Sequence, residues 1–294
     1  MLDVVIALHP ISSYGNHLVI AERLAKLNRD NAVWQRDLAV AHSRTADVQL
    51  AQGDLPSALT SYNSTLAVFQ TLAKADPAHL EWQQDPSNGY VTVGQIEEAQ
   101  GNLPDALTSY RAGRDVIASL VKANPANGDW QRDLVTSNHR VGDVLLRQGD
   151  RQGALESFRA ALASAEALTN AFPESPAAKG LLGLSYDKLG DAQWAQGQQE
   201  DAVASYRATL AILQSAAAAD PENAGVQFDL VRSYGKLATV YGQSKDQDSA
   251  LAALRQGKAT LDTLTKLAPD NKDVSEALSW FNDRIADLTG AGGK

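Results

Sequence analysis

With 294 residues, 44% of them hydrophobic and 21% charged, the sequence has the composition of a folded globular protein and not of a disordered one. Its formal charge of −9 leaves no basic excess to displace counterions from a nucleic-acid backbone, so no nucleic-acid partner is expected. The absence of cysteine excludes disulfides, thiolate nucleophiles and cysteine-ligated metal sites.

In chain order, the opening MLDVVIALHPIS is a short apolar run that Asp3 interrupts and no basic segment precedes, unlike a secretory signal. Nothing later approaches the ~18 uninterrupted apolar residues of a membrane span. The expectation is a soluble, cytoplasmic chain with no membrane partner. From Trp34 onward the sequence repeats with a period of 48 residues. The motif WQRDL at 34–38 returns unchanged at 130–134, with WQQDP at 82–86 between them. Gly53, Gly101, Gly149 and Gly197 form one column, which lapses at Lys245. Ala58, Ala106, Ala154, Ala202 and Ala250 form a second, and Tyr62, Tyr110, Phe158, Tyr206 and Leu254 a third. Pro77, Pro125, Pro173, Pro221 and Pro269 mark the end of each unit.

Each unit reads as two helices. Helix A spans about Trp34 to Gln52 and ends at Gly53, a residue suited to a left-handed C-terminal position. Helix B starts with Asp54 as N-cap and Pro56 in its first turn, where a missing N–H costs little, and Asp76-Pro77 stops it. In the second unit Pro86 and Asn88-Gly89 stand early in helix A, where they should weaken its start and could kink it. The count is a partial repeat over 1–33, five full repeats over 34–273, a capping helix over 274–289 and a flexible tail over 290–294, all within one solenoid over 1–294. The chain enters partway through a helix B, because Tyr14 to Arg29 aligns with the segment 48 residues on.

A small column, Ala46, Gly94, Gly142, Gly190 and Ala238, lies twelve positions before the alanine column. Small side chains at both sites let the two helices of a unit approach, and the aromatic four residues further on fills the gap beside them. In this pattern, Ala46, Ala58 and Tyr62 and their successors, the sequence resembles the tetratricopeptide repeat (TPR) family. It looks most like the long-repeat branch found in bacterial multidomain proteins, where units containing WQRDL and GDLPxAL recur. The resemblance implies an all-α fold: a right-handed superhelical solenoid of antiparallel helix pairs, with both helices longer than in the usual unit.

No HExxH, phosphate-binding glycine loop or GxSxG occurs, and the five histidines occupy different columns, so neither catalysis nor a cofactor or metal is expected. Trp34, Trp82 and Trp130 share a column that continues as Ala178, Val226 and Val274, which suits packing between units. Trp194 occupies a column that also holds Glu98 and Gly242, and is as compatible with partner contact as with local packing.

The most suggestive polar feature is a ladder on helix A. One column reads Arg44, Thr92, Arg140, Lys188, Lys236 and another, three residues on, Asp47, Gln95, Asp143, Asp191, Thr239. They can be plain i,i+3 pairs on a solvated face, as for Arg44 with Asp47 or Lys188 with Asp191. The resemblance implies that these columns line the concave surface, where with His139, Asp187, Trp194 and Arg232 they would bind a peptide. The family's clamp for a C-terminal carboxylate is not carried over, since Ser43, Asp47, Val91 and Gln95 stand at its positions.

These observations point to a non-catalytic protein-interaction scaffold that binds a protein or peptide on the helix-A face. Alternatives are a regulatory array from a larger bacterial signalling or effector protein, and a self-associating repeat protein. In the last case, Leu18, Ile20, Leu24 and Leu27 of the unpaired first helix would be exposed unless residues 2–8 cover them.

Overall fold

The computed structural model describes residues 17–268 and 270–290, and these form twelve α-helices and no strand. The apolar run at 2–8, Pro269 and most of the expected tail lie outside the described residues. Helix α1 covers residues 17–27. Helices A follow as α2 (Ala32–Ala51), α4 (Leu80–Ala99), α6 (Gly128–Arg147), α8 (Pro176–Ala195), α10 (Ala224–Gln243) and α12 (Lys272–Thr289). Helices B are α3 (Leu55–Ala75), α5 (Leu103–Ala123), α7 (Arg151–Ala171), α9 (Gln199–Ala219) and α11 (Gln247–Leu267). The chain forms two compact units, residues 1–149 and 150–294. In the first, each of α2 to α5 packs on the helix that follows it; in the second, each of α7 to α11 does the same.

The turn chemistry follows the columns. Gly53, Gly101, Gly149 and Gly197 all have φ between 77° and 83°, the left-handed conformation that lets the chain leave helix A. Where the glycine series lapses, Lys245 adopts the same turn at φ 60°. Side chains of Asp54, Asn102, Asp150 and Asp246 each accept the backbone N–H three residues on and so cap helix B. Helix A begins two residues before the tryptophan column, because Asn31, Asn127 and Asn223 act as its caps in three repeats. In α4 the equivalent residue is His79, which makes no capping bond. Pro86 nevertheless lies inside an unbroken α4, so the start of that helix is retained despite the lost donor.

Packing explains the small columns. All five column alanines of helix B are 0% exposed, leaving no room for a larger side chain. Ideal Cβ atoms on Gly94 and Gly190 would lie 2.7 and 2.6 Å from Cε1 of Tyr110 and Tyr206, so the aromatic ring occupies the space a side chain would need. Trp130 is buried against Ile117 and Leu120, and its Nε1 donates to Gln84 Oε1 at 3.0 Å. The glutamine that follows the tryptophan column staples helix A to the preceding helix B or its exit turn. Gln35 Nε2 donates to the Ala25 carbonyl, Gln83 to Ala73 and Gln131 to Pro125, and Gln227, which follows Val226 in that column, donates to Pro221. Adjacent repeats are also linked through the WQRDL acids: Gln84 donates to Asp133 at 3.0 Å, and Arg36 lies 3.9 Å from Asp85.

Candidate functional site

The aromatic column of helix B carries a polar side as well as a packing side. Tyr62 donates its hydroxyl to Asp47, Tyr110 to Glu98 at 2.7 Å and Tyr206 to Asp191 at 2.7 Å. Burial first, and then the neighbouring carboxylate, raises the pKa of each of these phenols and keeps the proton on the donor oxygen. A cation from the following helix A covers the ring: Arg140 lies 5.9 Å from the Tyr110 centroid, Lys188 5.7 Å from Phe158 and Lys236 5.3 Å from Tyr206. Thr92 replaces the cation that would cover Tyr62, and its hydroxyl donates to Asn88 within its own helix.

The arrangement is most developed between α8 and α10. Lys236 Nζ donates to both oxygens of Asp187, at 2.8 and 2.9 Å, and to both of Asp191, at 2.7 and 2.9 Å. The Asp187 side chain is only 10% exposed, whereas that of Asp191 is 43% exposed. Beside this cluster, Arg232 pairs with Asp229 at 2.9 Å on the exposed face of α10.

These groups line a cleft of about 600 Å³ bounded by α8, α10 and α12. Asp191, Trp194, Arg232 and Lys236, four of the residues expected from the sequence, meet in it. Asp187 lies behind them through its bond to Lys236. Phe228, Ala277 and Trp280 supply apolar wall, and Asp273 adds a carboxylate to the lining. Phe281 anchors α12 by filling the hollow over Gly257, where a Cβ would be 2.3 Å from its ring. Trp280, its neighbour, stays 37% exposed.

The other expected residues are distributed along the helices A of the first unit and on α8. Arg44, Asp47 and Gln95 are exposed, while Thr92, Arg140 and Asp143 on the first unit and Lys188 on α8 are half-buried. His139 is buried. Asp47 takes the Tyr62 hydroxyl. Phe228, Asp273 and Trp280 were not singled out as site residues from the sequence. A signal existed for two of them: Trp280 shares a column with Arg232 and with Leu184, which is 38% exposed, and Phe228 replaces the arginine of WQRDL.

Among the described residues, no group of three or more metal-donor side chains is placed to hold an ion, and no helix is long and apolar enough to cross a membrane.

No protein-family model and no curated protein matches the chain. Solved structures do. BtubC (BKLC) from P. vanneervenii aligns with a TM-score of 0.61 at 18% identity, covering 90% of this chain and 95% of its own. The chain has a TPR-like fold. The apo form of RapI aligns at 0.63 with 11% identity, over 97% of this chain and 73% of its own. A Podosopora anserina putative kinesin light chain with nearly identical TPR-like repeats aligns at 0.53 with 18% identity, over 77% of this chain and 95% of its own. At these identities the likeness establishes the TPR-like architecture and leaves the partner to the chemistry of the cleft.

Proposed function

We propose that this chain is a non-catalytic protein-interaction scaffold, with the cleft between α8, α10 and α12 as its principal binding surface for a peptide or protein segment. The observation that supports it is convergence: Asp191, Trp194, Arg232 and Lys236, separated by up to 45 residues in sequence, share one cleft with four further aromatics, Tyr206, Phe228, Trp280 and Phe281. Apolar walls with a few fixed polar groups are the usual composition of a ligand site. Its mechanism is display of side chains on a preorganised helical surface, which limits the ordering cost of binding. On this reading Arg44, Asp47, Thr92, Gln95, Arg140 and Asp143 supply further contacts on the first unit, and Asp187 and Lys188 support those on the second.

Photo-crosslinking in cells of the source organism tests the reading. A photoreactive amino acid at Thr239, in the cleft, should give a discrete adduct that Trp280→Ala abolishes, and one at Arg255, exposed on α11, should not. Equal adducts from both positions would refute the assignment. A second reading, self-association, draws on α1, where Val19, Ile20 and Leu27 are 65%, 57% and 73% exposed. Light scattering over a wide concentration range decides it, and a mass that stays monomeric excludes it.

A further inference from the structure

We infer that the cleft selects a segment combining apolar side chains with arginine or lysine, and rejects an acidic one; this rests on the cleft being the binding surface. A cation in a groove would ordinarily attract a carboxylate. Lys236 is not available for that. An ammonium has three N–H donors, and Nζ of Lys236 is already within 2.7–2.9 Å of four carboxylate oxygens of its own chain. An acidic ligand would have to displace Asp187 or Asp191, and the 10% exposed Asp187 has little water to turn to.

The remaining field points the same way. Arg232 is paired with Asp229, and exposed Asp273 adds a further carboxylate to the lining. With Asp187 included, four carboxylates face two cations, a local net charge of −2. The walls suit a cation too. The Arg284 guanidinium lies 5.6 Å from the Trp280 ring centroid and lines the adjoining hollow, so this indole already holds one guanidinium. Its cleft side, together with Trp194 and Phe228, offers aromatic surface to another. A long basic side chain satisfies both demands, because its stem covers aromatic surface while its head reaches the carboxylates.

The probes are three pools of dye-labelled, acetylated and amidated octapeptides, with alternate positions randomised among Leu, Ile and Phe and the others fixed as Arg, Ser or Glu. Fluorescence anisotropy against the full chain should rank them Arg, then Ser, then Glu. Trp280→Ala should weaken the Arg pool by about tenfold. Asp229→Asn with Asp273→Asn should weaken it by about threefold, and Glu200→Gln with Asp201→Asn, the same charge change on exposed α9 positions, should leave it unaltered. If Ser and Arg pools bind alike and both lose affinity in Trp280→Ala, the cleft stands and the charge preference is wrong. Tighter binding of the Glu pool would overturn it too. A Trp280→Ala effect on no pool, with circular dichroism unchanged, would overturn both the charge preference and the cleft.

Discussion

Replacing Lys236 by Met would remove the ammonium from between Asp187 and Asp191 while keeping the length of the side chain. Two carboxylates would then be left without a cation, in different surroundings. Asp191, 43% exposed, can be solvated, and its loss is of surface size, about 0.5 kcal/mol. Asp187 is 10% exposed, and breaking a buried pair costs about 3–5 kcal/mol. Lys236 itself is 24% exposed, so water can partly enter the vacated space, and the lower end of the range, about 3 kcal/mol in total, applies. Hydrogen exchange is the appropriate assay, since repeat arrays lose stability locally. Amide protection across the middle of α8 and α10 should fall by about a hundredfold, while α2 to α4 stay unaltered. Adding Asp187→Leu should recover most of the loss, because replacing both members of a buried pair is far less costly than removing one. A loss below about 0.5 kcal/mol in the single variant would identify the cluster as a solvated surface pair and refute the reasoning.

Three further outcomes are expected. Lys245→Gly should stabilise the chain by about 1 kcal/mol, read as a higher midpoint in urea, because the left-handed turn at φ 60° strains any residue with a Cβ. Gly257→Ala should destabilise the α11–α12 packing by about 2 kcal/mol, since its Cβ would meet the Phe281 ring at 2.3 Å and the Cβ of Tyr234 at 3.1 Å. Gly180→Ala, with nothing within 4 Å, is its control and should gain about 0.5–1 kcal/mol, both read from thermal melts. Burial raises the pKa of Asp85 despite the opposing charge of Arg36. The folded state therefore binds protons more readily there than the unfolded chain does, and the penalty for charge, full at neutral pH, is relieved as pH falls through the raised value towards 3.8. Asp85→Asn should then be more stable than the parent at pH 7, with the gain shrinking on acidification in parallel urea titrations.

The helices, their turns and the close approach of A to B were legible because each depends on one residue type in one column: glycine for φ, alanine for zero clearance, an aromatic for the gap. The charged ladder was legible as a set of positions and not as a set of partners. Local spacing suggested pairs within one helix, and Arg232 with Asp229 is such a pair. Lys236 instead reaches Asp187 and Asp191, 49 and 45 residues earlier, because stacked helices bring the next repeat's side chains closer than the next turn's. Trp280 was harder to place for a related reason. A terminal helix breaks the column statistics, and only the packing of Phe281 over Gly257 fixes which side of α12 its neighbour Trp280 presents.

The bond between Lys236 and the preceding repeat bears on how such an array can be rebuilt. Its repeats look interchangeable, with LPSALTSY at 55–62 and LPDALTSY at 103–110 differing at one position. Yet the aspartate at 187 has Ser43, Val91 and His139 as its counterparts, so only this repeat offers two carboxylates to the lysine of its successor. Moving or copying repeats would leave that lysine, or that aspartate, facing an unsuitable neighbour. The array therefore has an order written into it, like numbered bricks of one mould, and repeat shuffling should preserve the fold of each brick while failing at this joint.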